Sequence, residues 1–231
     1  MISPSDSQAV SGTPLRITTP HSGPRLRVFM RVVFYGSSTV AGASLEDISS
    51  RFSTVACRAL GWTEVNLGIA GTLVTGRDLD AQIISQESGV VRVPDIFDVN
   101  PDLVIVLYGL DDCVAGTIAG DPFDHRPGTF ASDYDSIVRG IMGGLGGDKL
   151  VLMPLEFATV SGDKPGPDAY NAAISAIAKR YSIRLIDLQD TVDRPASANQ
   201  APAEPPYALN AEGHAWLADV LIREFAPQSA A

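Results

Sequence analysis

Two rhythms of apolar and polar positions alternate along the chain. Short runs rich in aliphatic and aromatic residues, at Val32–Tyr35, Thr63–Leu67, Asp102–Tyr108, Lys149–Pro154 and Arg184–Leu188, predict strands. The run at 102–108 is apolar almost throughout, which suits a central parallel strand covered on both faces. Between these runs apolar residues recur at helical spacing: Phe52, Val55, Ala56, Ala59 and Leu60 up to a stop at Gly61, then Tyr134, Ile137, Val138, Ile141 and Leu145. Tyr170, Ile174, Ile177 and Tyr181 mark a third helix over Asp168–Tyr181, and Trp216, Leu217, Val220, Leu221 and Phe225 a closing one. Ser44-Leu45-Glu46-Asp47 reads as a capping box for the first helix, Ser132 as the cap of the second and Asn210 as the cap of the last. Residues 76–100 are mixed and predict only a short helix over Asp80–Ser85, followed by irregular chain. Strands alternating with helices of this length imply right-handed crossovers. The predicted fold class is therefore α/β, a three-layer α/β/α sandwich around a central, mainly parallel five-stranded sheet.

In such a sheet the carboxyl ends of the strands form the ligand crevice, and three loops at predicted strand ends carry polar or small residues. The first strand breaks at Gly36-Ser37-Ser38, a turn that lets a hydroxyl stand clear of the backbone, and Ser38 is the candidate nucleophile. Gly-Ser-Ser is also ordinary turn chemistry, but its place at the end of the first strand favours function. The second strand closes in Asn66–Gly71, whose two glycines allow backbone N–H groups close to a ligand. The central strand empties into Gly109-Leu110-Asp111-Asp112-Cys113, and the loop Val114–Thr129, with His125, is long enough for a lid or substrate wall.

With 231 residues and 45% hydrophobic content, the chain suffices for one good core. Residues 26–231 are expected to form a single domain, with 1–25 as a flexible N-terminal extension or a strap lying over it. A formal charge of −10 and no basic stripe argue against nucleic-acid and membrane-surface roles. Cys57 and Cys113 show no metal-ligand spacing and are expected to be free thiols in a reducing compartment. With no secretory leader or membrane span visible, a cytoplasmic protein is expected. No metal or organic cofactor is implied by any spacing.

Four segments together resemble the blocks of the SGNH/GDSL hydrolases, an esterase and lipase family, in order and spacing. They are the Gly-x-Ser turn at 36–38, the Asn66-x-Gly68 loop, the Gly-x-x-Asp loop at 109–112 and the Leu-Asn-x-x-Gly-His segment at 209–214. The likeness runs from about Arg31 to Phe225. It implies an SGNH hydrolase-like, flavodoxin-like arrangement in which the first-block serine attacks an acyl carbonyl. The serine N–H, a second-block glycine and a third-block asparagine hold the oxyanion, and a last-block Asp-x-x-His supplies the base. On that plan Ser38 is the nucleophile and Gly68 the oxyanion glycine. The third-block asparagine is replaced by Asp111, and the base positions fall on Pro205 and Ala208.

These departures point to a rebuilt site on a small or medium organic substrate. An ionised Asp111 repels an oxyanion, whereas a buried, protonated one donates to it. Ser38, Asp111 and His125 are the candidate catalytic residues, His125 because its loop position lets it swing over the site. Ser37, Gly68, Asp112 and Tyr207 are candidate substrate-binding residues, although Asp112 reads first as a residue that fixes its loop. His214 reads as structural, inside a capped helix beside an apolar face. Cys113 reads as a small buried thiol next to the third block, and Glu156 as a spare carboxylate facing the crevice. Two chemistries stay open: acyl-ester hydrolysis or transfer through Ser38, and non-covalent acid/base chemistry through Asp111, such as cyclisation, isomerisation or elimination. The alternative to both is a catalytically silent small-molecule-binding or scaffold protein on the same fold.

Overall fold

In the computed structural model the described residues are 29–78, 83–157, 166–188, 194–196 and 207–226. Strand β1 (Arg31–Gly36) leads into the four-residue helix α1 (Ser38–Ala41), a 3₁₀ turn at Ile48–Ser50 and helix α2 (Phe52–Leu60). Next come β2 (Thr63–Gly68), a small antiparallel pair β3 (Arg77–Asp78) and β4 (Ile83–Ile84), and α3 (Val93–Asp98). Then follow β5 (Leu103–Leu107), α4 (Leu110–Ala115), α5 (Phe130–Leu145), β6 (Leu150–Leu152), α6 (Asp168–Tyr181), β7 (Arg184–Leu185) and α7 (Ala211–Phe225). The main sheet is five-stranded and parallel in the order β2-β1-β5-β6-β7. Counting its strands along the chain, this is the 2-1-3-4-5 order of flavodoxin-like sheets.

Successive strand residues point to opposite faces, and the core divides accordingly. Val32, Phe34, Ile105 and Leu107 pack with Phe52 of α2 and Leu217 and Leu221 of α7. Val33, Tyr35, Val104 and Val106 pack on the other face with Ile96 of α3, Ile137 and Ile141 of α5 and Ile174 of α6. The central residues Val104, Ile105 and Val106 are each 0% exposed, as a strand covered on both sides requires. The expected sandwich is therefore the observed one.

Several boundaries differ from the sequence expectation, each for a local reason. The predicted capping box is split: Asp47 Oδ1 accepts the Ser49 N–H and caps the 3₁₀ turn, while the Ser44 hydroxyl donates to the Leu209 carbonyl. Helix α2 starts at Phe52, whose N–H donates to Nδ1 of His214 at 3.2 Å. That cap comes from 162 residues away, where no local pattern reveals it. Helix α5 begins at Phe130, with Thr129 accepting the Ser132 N–H, so Ser132 lies inside the first turn. Asn210 caps α7 as expected, its Oδ1 accepting the Gly213 N–H at 3.0 Å. The helix expected over Asp80–Ser85 is not formed at Ile83–Ile84, which is strand β4; residues 79–82 lie outside the described residues. Residues 1–28, with the expected extension, also lie outside them. Among the described residues, no helix is long and apolar enough to cross a membrane.

Helix α1 reaches the end of β2 through a glycine. A Cβ on Gly68 would stand 2.4 Å from the Ala41 nitrogen and 2.6 Å from the Val40 carbonyl carbon, so α1 lies flat on the end of β2 only because residue 68 has no side chain. Gly68→Ala must push backbone against backbone, and overpacking of this kind costs on the order of 3 kcal/mol. Equilibrium urea unfolding is expected to show that loss; a variant as stable as the parent refutes the packing role.

Candidate active site

The sheet order reverses between β1 and β5, and in open α/β sheets the crevice lies at that switch point, beyond the carboxyl ends of the strands. Ser38 is the first residue of α1, directly after β1, and Asp111 lies in the first turn of α4, directly after β5. The two meet in the crevice. The Ser38 hydroxyl donates to Asp111 Oδ1 at 2.9 Å, and the Ser38 N–H donates to Asp111 Oδ2 at 3.2 Å. The Gly71 N–H donates to Ser38 Oγ at 2.9 Å, which leaves the serine proton directed at the carboxyl group. Ser38 and Asp111 are 1% and 4% exposed. Burial raises the Asp111 carboxyl above the ordinary carboxylate range, opposed by hydrogen bonds from the Ser37 and Ser38 hydroxyls and the Ser38 N–H.

Around this contact each neighbouring polar group has its own task. Asn66 Oδ1 accepts the Gly68 N–H at 3.0 Å, and Asn66 Nδ2 donates to the Val40 carbonyl at 2.8 Å. The N–H that reaches the serine oxygen thus belongs to Gly71, at φ +74°, and the expected donor Gly68 is occupied in holding its own loop. Asp112 is fully buried and accepts the Val74 N–H at 2.8 Å and the Thr75 N–H at 3.4 Å. It fixes the loop after β2 instead of facing a substrate. Burial pushes its carboxyl up to about 7, against those two backbone hydrogen bonds. Glu156, just past β6, is 1% exposed and accepts the Thr39 hydroxyl. Burial pushes it too up to about 7, with the Thr39 hydrogen bond opposing and the Asp111 charge reinforcing.

Beside the Ser38–Asp111 contact lies a cavity of about 520 Å³, walled by Ala70, Gly71, Leu73, Ala115 and Tyr207. This size suits a small or medium organic molecule, and the walls are chiefly apolar. Tyr207 is accordingly brought to the site with Ser38 and Asp111.

The described histidines are not brought there. His125 sits with Nδ1 3.7 Å from Asp135 Oδ2 on α5, a carboxyl that also pairs with Arg139 and accepts the Tyr181 hydroxyl. It does not line the cavity. His214 is 0% exposed, stacks on Phe52 and caps α2, and burial pushes its imidazole down to about 4. Ala208 is 2% exposed, and Pro205 lies outside the described residues. Cys113 is fully buried in the core face formed with Tyr134 and Tyr170. Among the described residues, no group of three or more His, Cys, Asp or Glu is placed to hold a metal ion.

Residues 34–216 match the GDSL-like Lipase/Acylhydrolase family. The chain belongs to that family. Among curated proteins none matches the sequence. Similar solved structures include a lipase/acylhydrolase from Enterococcus faecalis, 16% identical with a TM-score of 0.62 over 87% of this chain and 100% of that one. An acetylxylan esterase variant from Geobacillus stearothermophilus is 19% identical, with a TM-score of 0.58 over 86% and 95% of the two chains. A carbohydrate acetylesterase from Sinorhizobium meliloti is 14% identical, with a TM-score of 0.59 over 85% and 98%. At these identities the likeness is one of fold.

The buried ionisable groups make stability depend on pH, and the sign follows from which state holds more protons. Folded, Asp112 and Glu156 keep a proton up to about pH 7, whereas their ordinary values are 3.8 and 4.5. Between those limits the folded state binds more protons, so stability falls as pH rises. His214 acts oppositely between about 4 and 6.5, one imidazole against two carboxyls, and Asp111 adds to the carboxyl side. Urea unfolding is expected to show a more stable protein at about pH 5 than at about pH 8, with a smaller difference in Glu156→Gln. Greater stability at the higher pH refutes this assignment of protons.

Proposed function

We propose that this GDSL-family protein is an enzyme acting on a small or medium organic substrate, in which Asp111 transfers a proton and Ser38 aligns it. The observation that carries this reading is the engagement of both Asp111 oxygens by one serine, through its N–H and its hydroxyl. For an acyl intermediate, the Ser38 N–H must turn to an oxyanion, while a carboxylate already occupies that donor and repels the developing charge. A proton-transfer reaction needs only what is in place. Ionised, Asp111 accepts a proton from a substrate held against Ala70, Gly71 and Tyr207; protonated, it donates one. Cyclisation, isomerisation and elimination are reactions of this class. The formal charge of −10 argues against nucleic-acid partners, and two cysteines outside any disulfide favour the cytoplasm as working compartment.

A second reading is favoured by the Gly71 N–H on Ser38 Oγ and by the esterases among the similar structures. Here Asp111 takes the serine proton as Ser38 Oγ bonds to an acyl carbon, and the carbonyl electrons pass to an oxyanion held by the Ser38 and Gly71 N–H groups. Its collapse breaks the ester C–O bond, the alcohol leaving with the proton from Asp111. Intact mass after exposure to a fluorophosphonate, with Ser38→Ala as control, separates the two. The proton-transfer reading expects no stoichiometric label, and a label lost in the control establishes the acyl reading instead. Once a substrate is turned over, Asp111→Asn is expected to lower kcat by about a hundredfold or more. An undiminished rate in that variant removes Asp111 from the chemistry.

The family frame is testable by restoring the two missing groups. Asp111→Asn supplies an N–H₂ donor beside Ser38, and Ala208→His places an imidazole at the last-block position. The double variant is expected to hydrolyse 4-nitrophenyl acetate faster than either single variant. No gain counts against oxyanion donors preserved at Ser38 and Gly71.

A further inference from the structure

The Gly71 N–H that meets Ser38 Oγ belongs to a tight turn, Ile69-Ala70-Gly71-Thr72. The Thr72 N–H donates to the Ile69 carbonyl at 3.4 Å, and Gly71, at φ +74°, takes the third position, where positive φ favours glycine. The Thr72 hydroxyl donates to the same carbonyl at 2.8 Å. Its single proton is thereby used, so in the 2.5 Å contact between Thr72 Oγ1 and the Tyr108 hydroxyl the tyrosine is the donor. Arg92, which can only donate, fixes the other end. Its Nη2 donates to the Tyr108 oxygen at 3.3 Å, Nη1 to the Leu67 carbonyl at 3.0 Å and Nε to the Glu87 carbonyl at 2.8 Å. One directed chain of hydrogen bonds thus runs from Arg92 through Tyr108 and Thr72 to Ile69. All three side chains are buried and none lines the cavity, so their role needs an account of its own.

We propose that Tyr108 is a positioning residue: through Thr72 it holds the Ile69–Thr72 turn so that the Gly71 N–H stays on Ser38 Oγ. Tyr108 directly follows β5 and stands three residues before Asp111. The end of one strand therefore sets both partners of Ser38. Asp111 accepts the serine proton, and Tyr108, by way of the turn, brings the N–H that occupies the serine oxygen. Asp112, next in the chain, takes the Val74 and Thr75 N–H groups, so the loop is fixed on both sides of Gly71. A buried polar chain with its donors and acceptors matched is rigid, and removing one oxygen from it leaves its neighbours unpaired. Burial pushes the Tyr108 hydroxyl up to about 12, so the donor keeps its proton at neutral pH. Were the turn to slacken, the Gly71 N–H would leave Ser38 Oγ and the serine hydroxyl could rotate away from Asp111. The tyrosine ring has a separate packing role against Tyr35, at 5.6 Å between centroids, which Tyr108→Phe retains.

The inference rests on Ser38 and Asp111 as the working pair, yet its first test needs no substrate. Amide hydrogen exchange of Gly71 is measured by NMR, with Ile105 in the centre of β5 reporting on the whole fold. Ser38→Ala, which removes the acceptor, supplies the rate of an unbonded Gly71. Tyr108→Phe and Thr72→Val are each expected to speed Gly71 exchange about tenfold, towards the Ser38→Ala rate, as the loss of one hydrogen bond implies. Thr72→Ser, which keeps the hydroxyl, is expected to retain the wild-type rate. Gly71 exchange that is unchanged in Tyr108→Phe, or that rises only in step with Ile105, overturns the proposal. Should Thr72→Val not fold, Tyr108→Phe decides alone, since it removes a single oxygen. Once a substrate is turned over, Tyr108→Phe is expected to lower kcat about tenfold with KM held, because Ser38 loses its alignment while the cavity walls stay. A loosened Gly71 with undiminished kcat overturns the positioning role. Full turnover by Asp111→Asn refutes the proposed reaction, whereas an unmoved Gly71 in Tyr108→Phe refutes only the role of Tyr108.

Discussion

Where β1 pairs with β5 in parallel, Val32 lies opposite Leu103 and Gly36 opposite Leu107, so both strands end at the same level. Adjacent strands stand about 4.8 Å apart, so the turns that leave these two ends start side by side. Those turns carry Ser38 and Asp111. Gly36 makes the approach possible: a Cβ there would stand 2.0 Å from the Leu107 carbonyl oxygen. The contact between serine and carboxyl group is therefore a consequence of strand pairing and not of an adjustable loop. That gives the contact its rigidity.

A carboxyl group at this position changes the character of the crevice. Burial makes each ionised carboxyl expensive, and three of them, Asp111, Asp112 and Glu156, stand over the ends of two neighbouring strands. Local hydrogen bonds offset part of the cost for each: Ser38 for Asp111, the 74–75 backbone for Asp112, Thr39 for Glu156. The remainder appears as raised proton affinity. Of the three only Asp111 lines the cavity, and its raised proton affinity keeps a titratable carboxyl group beside Ser38.

The layered fold was legible because its signals are local. The LVIVL run of β5, the helical spacing of Ile137, Val138 and Ile141 and the cap at Asn210 each specify their element from nearby residues. Ser38, Asp111 and Tyr207 could likewise be named from strand-end positions and the family pattern, and they line one cavity. What was not legible depends on contacts distant in sequence. The two glycines of Asn66–Gly71 were visible as donors, but only the fold shows Asn66 occupying one N–H and Ser38 receiving the other. His125 stood in a long loop with no marked partner, and the fold sets it beside Asp135 on α5, off the cavity. Asp112 could be read as fixing its loop, but only the fold shows which groups it holds, the Val74 and Thr75 N–H groups after β2. The short helices α1 and α4 escaped notice since four and six residues carry little periodicity.

His214 shows how the core is held together beneath the crevice. Its Nδ1 satisfies the Phe52 N–H, which as the first amide of α2 has no partner within its own helix. Its ring stacks on Phe52 between two elements of the same core face. These tasks require a neutral imidazole, and burial keeps it neutral by pushing its pKa to about 4. A histidine so committed is removed from any role as base for Ser38. Six residues earlier, at the base position implied by the family pattern, a buried alanine lies next to Tyr207 of the cavity wall. The contact that joins α7 to α2 is made by His214 with Phe52 and does not run through residue 208. At the polar ends of these parallel strands, the pairing of β1 with β5 brings the turns that carry Ser38 and Asp111 together, whatever α7 contributes to the core.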